Sequence, residues 1–572
     1  MRHHVLAGLL SIATILGGCG PVAAPFAGPG AEGPRTVALK RLTAAIFHSP
    51  PVVIAPGLGV TAGPGQDALY RLINAGFANR DDQEILRPQL AEQVPSIENG
   101  LWKLSPDGRM ETTWSIKPNA TWHDETAFTA EDILFAAQLQ QDRELAVFLR
   151  PAVYNLIERI DAPDPRTVTI HWKSPFIYAD QMFTFTRSMQ NMPLAKHLLE
   201  SDYRTNKDGF LDLPYWNEMF VGTGPFKVRE FVRDSHVLLD AFDGYVLGRP
   251  KIDTIEVKFI PDTSTGLANV LAGAVDLTMG RGLAMDQGIS VRDQGWKGSL
   301  ATMAVNWYFI RPQFLNPNPP VIANVQFRRA LLHAIDRQEM VDTIQYGQSQ
   351  VTYSYVGPRA PFYREIEPSI GKYEYDPRKA ADLVQSLGYS RGADGGLRDS
   401  AGQKLSVEIR TTPAENQSHR KVNLSVGDYW QRIGVGVDPL FYTTGPAFDA
   451  EWRATFPAFE LRDGPNQLTR IGDELHSRNA ATPERRFLGG NAGRHIDPTY
   501  DGLIDRMQVT VPMAERVRVI AEIMRHETEN VALMPLIYSA EPILIGARIK
   551  NVNAGSEDNT GVAWNAHLWD LD

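Results

Sequence analysis

Residues 220–277 read FVGTGPFKVREFVRDSHVLLDAFDGYVLGRPKIDTIEVKFIPDTSTGLANVLAGAVDL, and they set the class of the fold. PFKVREFVRDSHVLLDAF reads as a hairpin turning near Arg233-Asp234-Ser235, and TIEVKFI (Thr254–Ile260) as a further strand. The opening VGTGPF (Val221–Phe226) looks like a phosphate loop at first sight. It leads into a strand rather than a helix and lacks the lysine, so it reads as a tight turn.

Outward from this stretch, strands alternate with helices, which points to mixed α/β domains. RTVTIHW (Arg166–Trp172) and LSVEIRT (Leu405–Thr411) alternate apolar and polar residues at period two. In DPRKAADLVQSLGY, Asp376 is placed to cap, Pro377 to start and Gly388 to stop a helix. FRRALLHAID gathers Ala330, Leu331, Ala334 and Ile335 on one side, and Asp336 caps a second helix, RQEMVDTIQYG, ending at Gly347. VGDYWQRIG sets Val426, Tyr429, Trp430 and Ile433 at helical spacing, a core face. Leu461 to Pro498 is rich in Gly, Arg, Asn and Pro with weak periodicity, and such segments are places to look for ligand contacts.

The chain has 572 residues, 43% hydrophobic and 22% charged. The folded part, about 540 residues, exceeds one core, so two or three domains are expected. A formal charge of −10 with no Lys/Arg run argues against a nucleic-acid partner. At the start, Arg2 precedes an apolar run from Val5 to Leu16, which suits a secretory signal and is too short to span a bilayer. Leu16-Gly17-Gly18-Cys19 resembles a bacterial lipobox, with Cys19 lipidated as the mature N-terminus. Cys19 is the only cysteine, so no intrachain disulfide forms. At about 0.8 kcal/mol per buried methylene, the acyl chains that this resemblance implies hold a protein firmly at a membrane. Gly20 to Arg35, rich in Pro, Gly and Ala, reads as a tether, with folding expected from Thr36.

NATWHDETAFTAEDILFAAQL (Asn119–Leu139) concentrates a histidine and four carboxylates. Thr129 is a good N-cap with Asp132 at the capping-box position, and Glu131 and Asp132 suit the positive end of the helix dipole. A metal site needs a further ligand at the right spacing, and HExxH is absent. The cluster therefore reads as scaffolding. There is no GxSxG elbow; Ser418/Lys421 in SHRK and His526/Glu527 in HETEN lack the partners that hydrolytic motifs require.

Three blocks, WSIKPNATWHDETAFTAEDILFA, the opening stretch and NVQFRRALLHAIDRQEMVDTIQYG, stand in the order found in the extracellular solute-binding proteins of family 5, the peptide/nickel class, which they resemble. Weaker similarity runs over nearly the whole mature chain. The resemblance implies a two-lobed α/β fold of the periplasmic-binding-protein kind (class II). The first lobe is expected at residues 36–298 plus 531–572, with an extra subdomain near 81–214; the second lobe is expected at 299–530. It further implies a lipid-anchored, non-enzymatic monomer of the cell envelope, without a cofactor, that closes over a peptide and passes it to an ABC permease and ATPase. Oligosaccharides and nickel complexes are the alternative solutes, and an exported hydrolase built on Ser418/Lys421 or His526/Glu527 is the alternative activity.

Within that family an aspartate of the second lobe pairs with the peptide's ammonium group, a charge-assisted bond. The stretch FPAFELRDGPNQL (Phe456–Leu468) stands at that place without the expected tryptophan; it offers Asp463 to an ammonium and Arg462 to a carboxylate. Further contacts are expected at Thr43 in the first strand (Arg41–Ala45), at Asn306 and Trp307 after the crossover, and at Trp452 and Phe459. For Trp452 and Phe459 a place in the core is the competing reading. Glu125 replaces the glycine usual in the family's turn, which marks a backbone irregularity there.

Overall fold

The computed structural model describes residues 39–53, 63–145, 152–185, 192–411, 417–442, 449–554 and 561–572. The expected signal, Cys19 and tether lie outside these residues. Two strands organise the rest: Gly298–Pro312 and Met534–Gly546, of 15 and 13 residues. They pair antiparallel from Gly298↔Gly546 to Ile310↔Met534, with register shifts between Ala304 and Asn306 and between Trp307 and Phe309. At about 3.4 Å per residue each spans over 40 Å, more than one core needs.

They are the central members of a ten-stranded sheet. On one side follow Leu277–Thr278, Arg41–Ile46, Thr254–Phe259, His236–Ala241 and Phe226–Val232; on the other follow Phe459–Gly464, Ser406–Thr411 and Gly436–Phe441. One apolar core collects residues from Leu42 to Met303 and again from Val511 to Leu571. Two others, built on Tyr308 and on Trp307, flank the sheet beyond the register shifts. The two-lobed architecture is thus strung on one pair of strands. Attached to the first lobe is a four-stranded sheet of Trp102–Leu104, Met110–Ser115, Thr167–Trp172 and Ile157–Asp164.

Local signals in the sequence produce the elements they suggest. The hairpin Phe226–Val232/His236–Ala241 turns at Asp234, whose φ is 60°. Asp376 accepts from the Lys379 N–H at 2.9 Å and Asp336 from the Glu339 N–H at 2.9 Å, each starting its helix. Leu461–Pro498 is less irregular than expected, because it begins inside the strand Phe459–Gly464 and holds the short helix Ile471–Leu475.

The histidine and carboxylates of Asn119–Leu139 are scaffolding. Thr129 and Asp132 form a capping box, and Asp132 also accepts from the Lys196 backbone N–H at 3.1 Å. His123 is buried; its Nδ1 accepts from the Gly222 N–H at 3.1 Å and its Nε2 donates to the Gly224 carbonyl at 3.1 Å. Both ring nitrogens are thereby occupied, and burial holds the imidazole down at about 4, so it is neutral. Glu125 takes the left-handed conformation, φ 68°, where the family's glycine would stand.

The Gly-Thr-Gly turn that His123 clasps packs against the end of the Gln66–Ile73 helix. A Cβ on Gly222 would lie 2.1 Å from the Ile73 carbonyl oxygen, so the backbone would have to shift. Gly222→Ala is expected to destabilise the chain by about 2–3 kcal/mol, as overpacking does, read as a lowered urea midpoint with unchanged slope.

Candidate functional site

Beyond the register shifts the sheet carries helices on both faces, and the period-two alternation of its strands sorts the candidate residues between them. Phe459–Gly464 pairs antiparallel with Gly298–Pro312, placing Asp463 opposite Tyr308 and Arg462 opposite Phe309. Directly opposed residues share a face. Asp463 and Tyr308 therefore face the Gln417–Arg432 helix, while Arg462, Phe309 and Trp307 face the Met513–Asn530 helix.

On the first face, Asp463 is already engaged. Its Oδ2 accepts from the Asn306 amide at 2.6 Å, and His419 Nε2 lies 3.1 Å from Oδ1. The His419 ring meets Tyr308 edge-on at 5.3 Å. Burial alone would raise the Asp463 carboxyl, but the bond to and charge of His419, the Asn306 amide and Arg462 together hold it down at about 2.

The opposite face buries a network of charges. Arg311 donates to Glu460 at 2.8 Å, Arg462 stands 3.9 Å from Glu460, and Tyr355 donates to Glu474 at 2.6 Å. Arg470 also reaches Glu474, at 3.3 Å. Behind them Glu527 is 1% exposed, and neither carboxylate oxygen has a hydrogen-bond partner among the described residues. Burial, reinforced by the nearby Glu474, pushes its carboxyl up to about 8, so it holds its proton at neutral pH.

Two adjoining cavities lie between the first lobe's attached sheet region and the second lobe, of about 440 and 930 Å³. Both are lined by Arg80, Ile177, Tyr178 and Gln181 from one side and by Gln467 and Leu468 from the other. The smaller one adds Asp180, Tyr355, Arg359 and Phe362; the larger adds Phe176, Pro465 and Arg470. Tyr355 packs on Trp307 with ring centroids 4.9 Å apart, which sets these cavities on the face away from Asp463. Arg516 bridges the lobes by donating to the Ile177 carbonyl at 3.2 Å, and Lys421 meets Asp286 at 2.9 Å across a second lobe-to-lobe contact. Burial pushes the Asp180 carboxyl up to about 6 even though Arg80 and Arg516 oppose it.

Of the residues singled out in the sequence, the structure joins only Asn306 and Asp463 directly, with Arg462 on the far side of the same strand. Trp307 and Phe459 are fully buried; Phe459 packs against Trp430 at 5.0 Å. Trp452 is half-buried beneath the Arg410 guanidinium, 4.3 Å above its ring. Thr43 donates its N–H to Asp276 at 2.9 Å. Through Ala44↔Leu277, Leu277↔Ile545 and Ile545↔Ser299 it lies about 20 Å along the sheet from Asn306. None of these seven residues lines either cavity. Three of the four suspected hydrolytic residues have other places: His526 pairs with Asp497 at 2.7 Å, Glu527 is enclosed, and Lys421 holds Asp286. Tyr178, Tyr355, Arg359 and Arg516 carry no local signal in the sequence, whereas Pro465–Arg470 fall in the segment that composition marks for ligand contacts.

A family model, bacterial extracellular solute-binding proteins, family 5 (middle region), matches residues 86–462. That is well over half of the chain, and the protein belongs to this family. The chain is 24% identical to the oligopeptide-binding protein AppA of Bacillus subtilis over 367 residues, 63% of this chain and 62% of that protein, so less than two thirds of the relative is matched. It is 24% identical to heme-binding protein A of Haemophilus influenzae over 526 residues, 87% of this chain and 86% of that one. In fold it is similar to the oligopeptide-binding protein of Thermus thermophilus solved with a pentapeptide (TM-score 0.68, 20% identity, 93% of this chain and 96% of that one).

The two displaced carboxyls have opposite signatures in pH. Asp463, lowered from 3.8, contributes stability that is present above pH 3.8 and lost as pH falls through about 2. Glu527, raised from 4.5, binds its proton more tightly folded than unfolded, so its contribution is complete below pH 4.5 and is lost as pH rises through about 8. Glu527→Gln is therefore expected to flatten the decline in Tm between pH 5 and 9, with its largest stabilisation at the alkaline end. An unchanged Tm–pH slope refutes the assignment.

Proposed function

We propose that this protein is the solute-capturing component of an ABC importer and that its cargo is peptide. The observation that carries the reading is the pair of cavities lying between the lobes and lined from both, in a chain of a solute-binding family. Volumes of about 440 and 930 Å³ match those that ligand pockets offer. Relatives named for oligopeptide and dipeptide binding, and the similar fold solved with a pentapeptide, support peptide over other solutes.

On this reading the lobes, residues 36–298 with 531–572 and residues 299–530, close by bending where the two long strands change register. A lipid on Cys19 keeps the monomer at the outer face of a membrane, where a permease and its ATPase receive the solute. The protein makes and breaks no covalent bond. Its acid–base groups support this: the charge of Asp463 is engaged by Asn306 and His419, and Glu527 is sealed from solvent.

Ligand binding to the folded state alone stabilises it by RT ln(1 + [L]/Kd), about 2.7 kcal/mol at a hundredfold excess over Kd. A library of two- to nine-residue peptides is expected to raise Tm with one peptide bound per chain by calorimetry. The reading fails if no peptide in the library moves Tm.

A further inference from the structure

The cavities are electrostatically unlike the rest of the molecule. The chain carries a formal charge of −10, yet the two cavities together are lined by four arginines, Arg80, Arg359, Arg470 and Arg516, against two carboxylates, Glu84 and Asp180. Three of the arginines are held within the protein. Arg80 donates to the Glu84 carbonyl at 2.8 Å, Arg470 pairs with Glu474 at 3.3 Å, and Arg516 donates to the Ile177 carbonyl at 3.2 Å. Arg359 differs. It is exposed at the rim of the smaller cavity and has no ion pair or hydrogen bond among the described residues. The walls between these charges are apolar, formed by Leu86, Val94, Ile177, Phe362, Leu468 and Ile520.

We infer that these cavities are a solute compartment separate from the Asp463 face, selective for an apolar-bodied molecule bearing a negative charge, with Arg359 as the anchor for that charge. The inference rests on the solute-binding reading above and specifies its ligand. A like-signed group concentrated in a cleft with low-dielectric walls focuses the field and favours an anion there. A guanidinium presents its donors in a fork that fits a carboxylate at both oxygens. A cationic end gains little in this compartment: the charge balance opposes it, and burial already pushes Asp180 towards its neutral form. Asp463 offers no substitute, because both of its oxygens are engaged and it faces the other side of the sheet.

The test uses three probes that differ only at their ends: N-acetyl-Phe-Phe with a free carboxylate, its neutral C-terminal amide, and the cationic Phe-Phe amide. Calorimetry on the purified protein is expected to show the carboxylate binding at least tenfold more tightly than either amide. Arg359→Ala should erase that preference, Arg359→Lys should restore part of it, and Asp463→Asn should leave it unchanged. Equal or tighter binding of an amide, or a preference that survives Arg359→Ala, overturns the inference. If peptides with free ends bind while N-acetyl-Phe-Phe does not, the inference falls and the solute-binding reading stands. If neither class binds, both fall.

Discussion

The pairing of Gly298–Pro312 with Met534–Gly546 is the constraint on which the rest depends. Each strand is long enough to serve two cores, and each does so without leaving the sheet: the start of Gly298–Pro312 and the end of Met534–Gly546 pair in the lobe of Leu42 and Ile543, and their other halves pair in the lobe of Tyr308 and Leu536. Where the ladder is interrupted, other partners take up the main chain: the Tyr538 N–H donates to the Gln350 carbonyl at 3.0 Å and the Ala540 N–H to the Gln345 side chain at 3.2 Å. The register shifts fall where one core gives way to the other, and a shift of this kind bends a strand and re-aims its side chains. That is how Asn306 comes to address Asp463 on one face while Trp307, the next residue, seals the other.

The same ladder separates two kinds of polar chemistry. On the Asp463 face a carboxylate is matched by an amide and an imidazole, and its charge is retained. On the opposite face Arg311, Glu460, Glu474 and Tyr355 interlock, so buried charges there are paired, as burial requires. Glu527 sits at the end of this network without a hydrogen-bond partner among the described residues, and an isolated carboxyl in such a place avoids its charge by keeping its proton.

Much of the fold was legible because its signals are local. Caps at Asp376, Asp336 and Thr129 act within one helical turn, and the turn at Asp234 acts within four residues. The left-handed Glu125 was legible by contrast with the glycine of the resembling family. The site was less so. Period-two alternation in FELRDG already puts Arg462 and Asp463 on opposite faces, yet the motif groups them as one contact surface. The cavity walls had no signature at all, since Arg80, Ile177, Tyr355 and Arg516 become neighbours only after both lobes are folded and apposed. Thr43 shows the same limit from the other side: a contact expected from its strand depends on where along a long sheet the lobes meet, and that is set by pairing with strands far away in the chain.

The polar contacts described between the lobes are modest. Lys421 and Asp286 are about two-fifths exposed, and ion pairs of that kind contribute about 0–1 kcal/mol. Arg516 adds a hydrogen bond to a carbonyl, and its charge is only partly met by Asp180. On the proposed reading, a capture protein needs this weakness. Were the empty lobes held together by many kcal/mol, a solute would gain nothing by closing them; with a small bias, differential binding to the closed arrangement can shift the population. On that reading the apolar walls and the guanidinium of Arg359, which has no ion pair or hydrogen bond among the described residues, are the groups whose burial or pairing a solute would complete, so the free energy that closes the cleft would be drawn from the ligand itself.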